Sequence, residues 1–114
     1  MRDEPRSTAI TIVESIRCMC EPHAGKITAA FIFGSVVRGT DTAQSDIDLM
    51  IVGELDYDTV YAGTDQAGQL LGREVSPVVL STKDWRHEAA MPQSFISKVR
   101  ASPKLFVFGA DSDL

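Results

Sequence analysis

Two short stretches of the sequence carry residue types suited to phosphate and metal chemistry. One is Phe31-Ile32-Phe33-Gly34-Ser35-Val36-Val37-Arg38-Gly39, and the other is Ser45-Asp46-Ile47-Asp48-Leu49. Gly34 lets the backbone turn sharply or approach a ligand closely. Ser35 then stands near a helix start, where its hydroxyl and free backbone N–H groups can hold a phosphate. Arg38, on about the same side, can add a charge-assisted contact; a surface ion pair with Asp41 fits it nearly as well. Asp46 and Asp48 are two apart in a strand, so both side chains project from one face. Carboxylates held side by side repel unless a cation sits between them. Their oxygens suit Mg²⁺, which keeps several waters and completes its shell from substrate phosphates. Ile47, Leu49 and Ile51 on the opposite face anchor the strand. Position and composition together give a metal–triphosphate site.

For these side chains to meet, the segments that carry them must lie side by side. Residues 8–20 repeat Ile10, Val13, Ile16 and Cys20 at helical spacing, and Pro22 closes the run. Residues 27–33 are rich in β-branched and aromatic types and predict a strand. Residues 34–39 form a glycine-bounded turn with room for one or two turns of helix. Residues 47–52 predict a second strand, apolar on both faces and therefore central. Tyr57, Val60, Tyr61, Thr64, Ala67 and Leu71 share one helical stripe, with Asp56 or Asp58 as N-cap and Gly72 as terminator. Residues 75–80 form a third strand, which Pro77 demotes to an edge or bulged position because it lacks an N–H. Ser81 with Asp84 resembles a capping box and starts a helix near Thr82. A short helix at 94–101, then Pro103, precedes a last strand at 105–108. This order predicts an α/β (α+β mixed) domain with a small mixed sheet of about four strands and helices mainly on one face. One domain over 1–114 is expected, with a helical region at 1–25 and a core at 26–109.

Composition bounds the function. The 114 residues are 44% hydrophobic and 24% charged, which fits one globular domain rather than a disordered tail. A net charge of −5 argues against a general nucleic-acid binder, which needs a basic face. It leaves a nucleotide substrate open, since divalent metal can supply positive charge. No apolar run approaches the roughly 20 residues that span a bilayer. The charged N-terminus has no signal-like hydrophobic region behind it, so a cytoplasmic location is expected.

At these residues the sequence resembles the minimal nucleotidyltransferase domain of the DNA polymerase β superfamily. The resemblance rests on Gly34-Ser35 followed, eleven positions after Ser35, by Asp46-x-Asp48 among apolar residues. It extends from about Lys26 to Gly109 through Leu71-Gly-Arg-Glu-Val75, Pro77-Val-Val and Phe106-Val-Phe-Gly109. The subgroup it resembles often carries a winged-helix DNA-binding domain ahead of the transferase domain; residues 1–25 have room for one helix only. The resemblance implies the nucleotidyltransferase fold. It implies that Gly34 and Ser35 hold the terminal phosphates of a nucleoside triphosphate, ATP foremost, with Arg38 and Ser45 as further nucleotide contacts. Asp46 and Asp48 would ligate Mg²⁺, and a nucleoside monophosphate would pass to a protein or small-molecule hydroxyl. The third acidic residue of the active pattern falls at Ser76, which cannot act as a base at neutral pH. Glu74 projects from the same strand face but lies about 7 Å further along, unless Pro77 marks a bulge that shifts the register. Two readings stay open: an active transferase, and a weakened nucleotide-binding module. In the second, the chain would bind a small helical partner as the antitoxin of a toxin–antitoxin pair. A DNA-binding regulator fits least.

Plainer readings stand beside these. Asp-x-Asp alone is common at turns, and Ser45 fits a turn cap as well as a ligand contact. Residues 41–65 contain no Lys or Arg, whereas 73–104 carry six basic and three acidic groups. That asymmetry fits a docking or substrate-facing basic surface and a chance pairing of solvated helices equally. His87-Glu88-Ala-Ala-Met91 lacks the second His of a zinc motif. Trp85 with Phe95 fits a helix packed on the sheet, with adenine stacking as the alternative for Trp85. Cys18 and Cys20 point to different sides of a helix and are expected to be reduced thiols.

Overall fold

The alternation of apolar runs resolves into five α-helices and four strands among the described residues of a computed structural model, which describes residues 7–39 and 45–114. They are α1 (Ser7–Cys20), β1 (Ile27–Phe33), α2 (Ser35–Arg38), β2 (Ile47–Gly53), α3 (Tyr57–Leu71), β3 (Val75–Leu80), α4 (Thr82–Ala89), α5 (Phe95–Ala101) and β4 (Leu105–Phe108). Pro22 ends α1 as its sequence predicts, but the chain continues as 3₁₀ turns through Glu21–Lys26, where a proline near the start costs no helical hydrogen bond. Asp56, not Asp58, caps α3, its side chain accepting from Thr59 N. Ser81 and Ser94 cap α4 and α5, accepting from the backbone N–H of Asp84 and Ser97, each at 3.0 Å. These caps satisfy N–H groups that a helix start leaves open. None of the described helices is long and apolar enough to cross a membrane.

The sheet runs β3-β2-β1-β4. β1 is antiparallel to both β2 and β4, while β2 and β3 are parallel with α3 as the crossover. Pro77 therefore lies on an edge strand, where the missing N–H can face away from the sheet. Pairing from Ile47↔Val75 to Val52↔Leu80 is continuous, so Pro77 introduces no bulge.

The helices divide between both faces, which corrects the expectation of one covered face. Ile12 and Ile16 of α1 and Val60 of α3 pack with Ile32, Leu49 and Ile51. On the other side, Trp85 of α4 and Ile96 and Val99 of α5 pack with Phe31, Phe33, Met50 and Val52. The reason is in the strands: β1 and β2 are buried at almost every position, and a strand apolar on both faces needs cover on both. Trp85 is 1% exposed and meets the Phe31 ring edge-on at 5.8 Å. Its burial removes it as a stacking surface for a base. Phe95 is 58% exposed, its ring in a T-shaped pair with that of Phe33 at 6.2 Å.

Candidate functional site

The site begins where β1 ends. Phe33 is in register with Asp48 on β2, so the next residue, Gly34, turns directly over that carboxylate. Gly34 has φ +81°, a conformation glycine adopts without a steric cost, and a Cβ there would overlap Asp48 Oδ2. The turn closes when Arg38 N donates to Gly34 O at 3.1 Å. Val36 and Val37 anchor it against the core below α1 and α3. Ser35 is left half-buried at the head of the turn and Arg38 exposed at its end.

The second part is the start of β2. Asp46 immediately precedes the strand and Asp48 lies within it. Ile47, Leu49 and Ile51 are fully buried on the opposite face, as the alternation predicts. Burial raises the pKa of Asp48, the Asp46 charge raises it further, and the Arg38 charge lowers it. Two facts follow. The two carboxylates are close enough for Asp48 to feel the Asp46 charge, and Arg38 is close enough to act on Asp48. Its alternative partner, Asp41, lies outside the described residues. Two adjacent carboxylates, one of them destabilised as an anion, form a hard-oxygen donor set that fits Mg²⁺ with water and phosphate oxygens completing the shell.

Ser76, where the resemblance implies a third acidic residue, is in register with Asp48, and its Oγ donates to Asp46 Oδ2 at 3.3 Å. Glu74 is not brought to the pair. With no bulge to shift it, Glu74 stays exposed one residue before the strand, where it borders a groove of about 430 Å³ beside α3 with Tyr61, Asp65, Gln69 and Arg73. Its backbone carbonyl instead accepts from Ile47 N at 2.9 Å. Among the described residues, no three His, Cys, Asp or Glu side chains gather as a metal-binding group. Ser45 contributes its carbonyl, which accepts from the Arg73 guanidinium. Sequence reasoning missed Arg73, because its partner is 28 residues away and no local spacing signals the pairing.

Residues 14–96 match the sequence family described as Polymerase beta, Nucleotidyltransferase. A protein of Methanocaldococcus jannaschii, whose name proposes a protein adenylyltransferase activity, is 41% identical over 49 residues. The match covers 43% of this chain, which spans 49% of that relative's length. Among solved structures, a toxin–antitoxin crystallised with AMP-PNP is similar with a TM-score of 0.65 at 20% identity. The match covers 89% of this chain and 76% of that one. The toxin–antitoxin MntA–HepT is similar with a TM-score of 0.57 at 17% identity, covering 90% and 74%. At these identities the structural likeness establishes the fold.

Proposed function

The chain belongs to the polymerase beta nucleotidyltransferase family, and from that premise we propose that it binds a nucleoside triphosphate with Mg²⁺ and transfers the nucleoside monophosphate to a hydroxyl. The observation that carries this reading is the Gly34 turn packed directly over Asp48, with Asp46 beside it. ATP and a protein acceptor are supported by the relative named for protein adenylyltransferase activity and by the AMP-PNP bound in a similar fold. The toxin–antitoxin pairs of similar fold support a partner protein, of which a small helical toxin is the leading kind. A cytoplasmic setting is part of the same proposal.

In this reading the Gly34 backbone and the Ser35 hydroxyl meet the terminal phosphates, and Arg38 adds positive charge from the open side of the turn. Asp46 and Asp48 would hold Mg²⁺, which when bound neutralises charge on the phosphates and on the attacking and leaving oxygens. The acceptor oxygen bonds to the α-phosphorus as its O–H bond breaks, the α-phosphorus parts from the α–β bridging oxygen, and pyrophosphate leaves with that oxygen while the acceptor's proton passes to solvent or to the pyrophosphate. Ser76 cannot take the acceptor's proton at neutral pH. A second reading therefore stands: a nucleotide-binding or antitoxin module with weakened catalysis that acts by binding its partner. It is favoured by the Ser76 hydroxyl bonded to Asp46 where the active pattern has a carboxylate.

The test is incubation with labelled triphosphates, Mg²⁺ and a candidate partner protein, followed by intact-mass analysis. Transfer predicts one added nucleoside monophosphate on the acceptor, with ATP preferred. Metal-dependent triphosphate binding without any added mass would select the binding module. Absence of both would reject the site.

A further inference from the structure

Asp46 is exposed and precedes its strand, so the strand ladder alone does little to hold it. Instead, positions 45, 46 and 47 are each bonded to the segment 73–76. Arg73 Nε and Nη2 donate to Ser45 O at 3.1 and 3.0 Å. Ser76 Oγ donates to Asp46 Oδ2, and Ile47 N donates to Glu74 O. The Arg73 contact is part-buried and charge-assisted, the stronger class of hydrogen bond.

Arg73 is itself delivered from a fixed turn. Gly72 reverses the chain after α3 with φ +71°, and Arg73 N donates to Gly68 O at 3.2 Å. A Cβ on Gly68 would come within 2.7 Å of Arg73 O, so the backbone of 73 lies tight against α3. The guanidinium therefore reaches Ser45 from a rigid base.

We propose that Arg73 is a positioning residue for the metal–nucleotide site: by holding the Ser45 carbonyl it fixes the peptide that carries Asp46, and so keeps that carboxylate beside Asp48. The inference rests on the reading that Asp46 and Asp48 hold a divalent cation with a triphosphate. The physical need is clear without a ligand present. Two adjacent carboxylates repel, and the exposed one at the strand entry is held less by the strand ladder than the one within it. The Arg73 tether meets that ordering cost during folding rather than during metal binding. Arg73 does this without touching phosphate, a role that falls to Ser35 and Arg38.

The experiment titrates Mn²⁺ by electron paramagnetic resonance, with a non-hydrolysable ATP analogue present, into wild type, Arg73→Gln and Arg73→Lys. The same analogue is titrated separately in EDTA. Loss of an outer-shell partner predicts about tenfold weaker Mn²⁺ binding in Arg73→Gln. Arg73→Lys keeps one donor and should lose less. Metal-free affinity for the analogue should stay within about twofold of wild type, since outer-shell loss acts on the metal and not on the phosphates. If the wild type binds Mn²⁺ and Arg73→Gln binds it equally, the positioning role is overturned and the site assignment stands. A matching loss of metal-free analogue binding would make Arg73 a phosphate contact and overturn the role too. Should Arg73→Gln fail to fold by circular dichroism, Arg73→Lys decides alone, and wild-type Mn²⁺ affinity in it overturns the role. A wild type that binds no Mn²⁺ overturns the site reading, and this role with it.

Discussion

Asp48 stands where burial, the negative charge of Asp46 and the positive charge of Arg38 all act on a single carboxylate. Its pKa is raised, so the fold binds a proton there more tightly than the unfolded chain does. Stability then falls as pH rises from the ordinary carboxylate value of 3.8 through the raised one. The full cost is present at neutral pH in the metal-free protein. Asp48→Asn should accordingly melt at or above the wild-type temperature at pH 7, with the advantage vanishing below about pH 3.8. In the same variant, and in Asp46→Asn, calorimetry should show loss of Mg²⁺-dependent triphosphate binding. Unchanged metal-dependent affinity in both would remove the site assignment. Ser76 poses the complementary question. Because a third carboxylate acts on the attacking hydroxyl, Ser76→Asp should raise single-turnover transfer without a comparable gain in nucleotide affinity. Glu74→Gln should leave transfer near wild type, since among the described residues no third acidic side chain gathers with the pair. Loss of transfer in Glu74→Gln would mean that the loaded protein brings Glu74 in.

At the scale of elements, the site is a meeting of a turn and two strand ends. The β1–α2 turn works only if position 34 has no side chain, because the left-handed backbone and the Asp48 carboxylate both exclude one. Gly34→Val should therefore weaken triphosphate binding by more than Ser35→Ala, which removes a hydroxyl contact worth about 0.5–1.5 kcal/mol. Isothermal titration of both variants makes the comparison. Equal losses would show that this turn does not cradle phosphate. The β2–β3 pairing does the other half of the work. Parallel register sets Ser76 beside Asp48, and the turn after α3 aims Arg73 at Ser45. Two separate segments thus hold the two carboxylates, one from β1 and one from β3.

Across the whole molecule, two apolar layers clamp one sheet, and the charge asymmetry falls on its two sides. α3, with Asp56, Asp58 and Asp65, covers one face. α4 and α5, with Lys83, Arg86, Lys98 and Arg100, cover the other. Asp48 projects from that second, more basic face, as does Met50 two residues on. Trp85 is the main anchor of this layer, touching the Phe31 ring at the sheet centre. Trp85→Ala should cost about 3–5 kcal/mol by urea unfolding, the range for deleting a large buried aromatic side chain. A loss under 1 kcal/mol would mean that α4 contributes little to holding the sheet.

Much of this was legible in the residues because it is local. Helical and strand periods, the serine caps, the edge position of the Pro77 strand and the shared face of Asp46 and Asp48 depend on neighbours a few positions apart. The Gly-Ser and Asp-x-Asp spacing likewise marked the candidate site. Three features depended instead on which distant segments meet. Residues 47–52 already read as apolar on both faces, but which helices cover which face was decided by packing, with α1 and α3 on one side and α4 and α5 on the other. Ser76, and not Glu74, reaches the acidic pair because unbroken parallel register places it there. Arg73 joins the site only because the turn after α3 brings it to Ser45 across 28 residues of chain. Sequence spacing fixes the direction of a side chain within its own element; long-range packing and pairing decide what it faces.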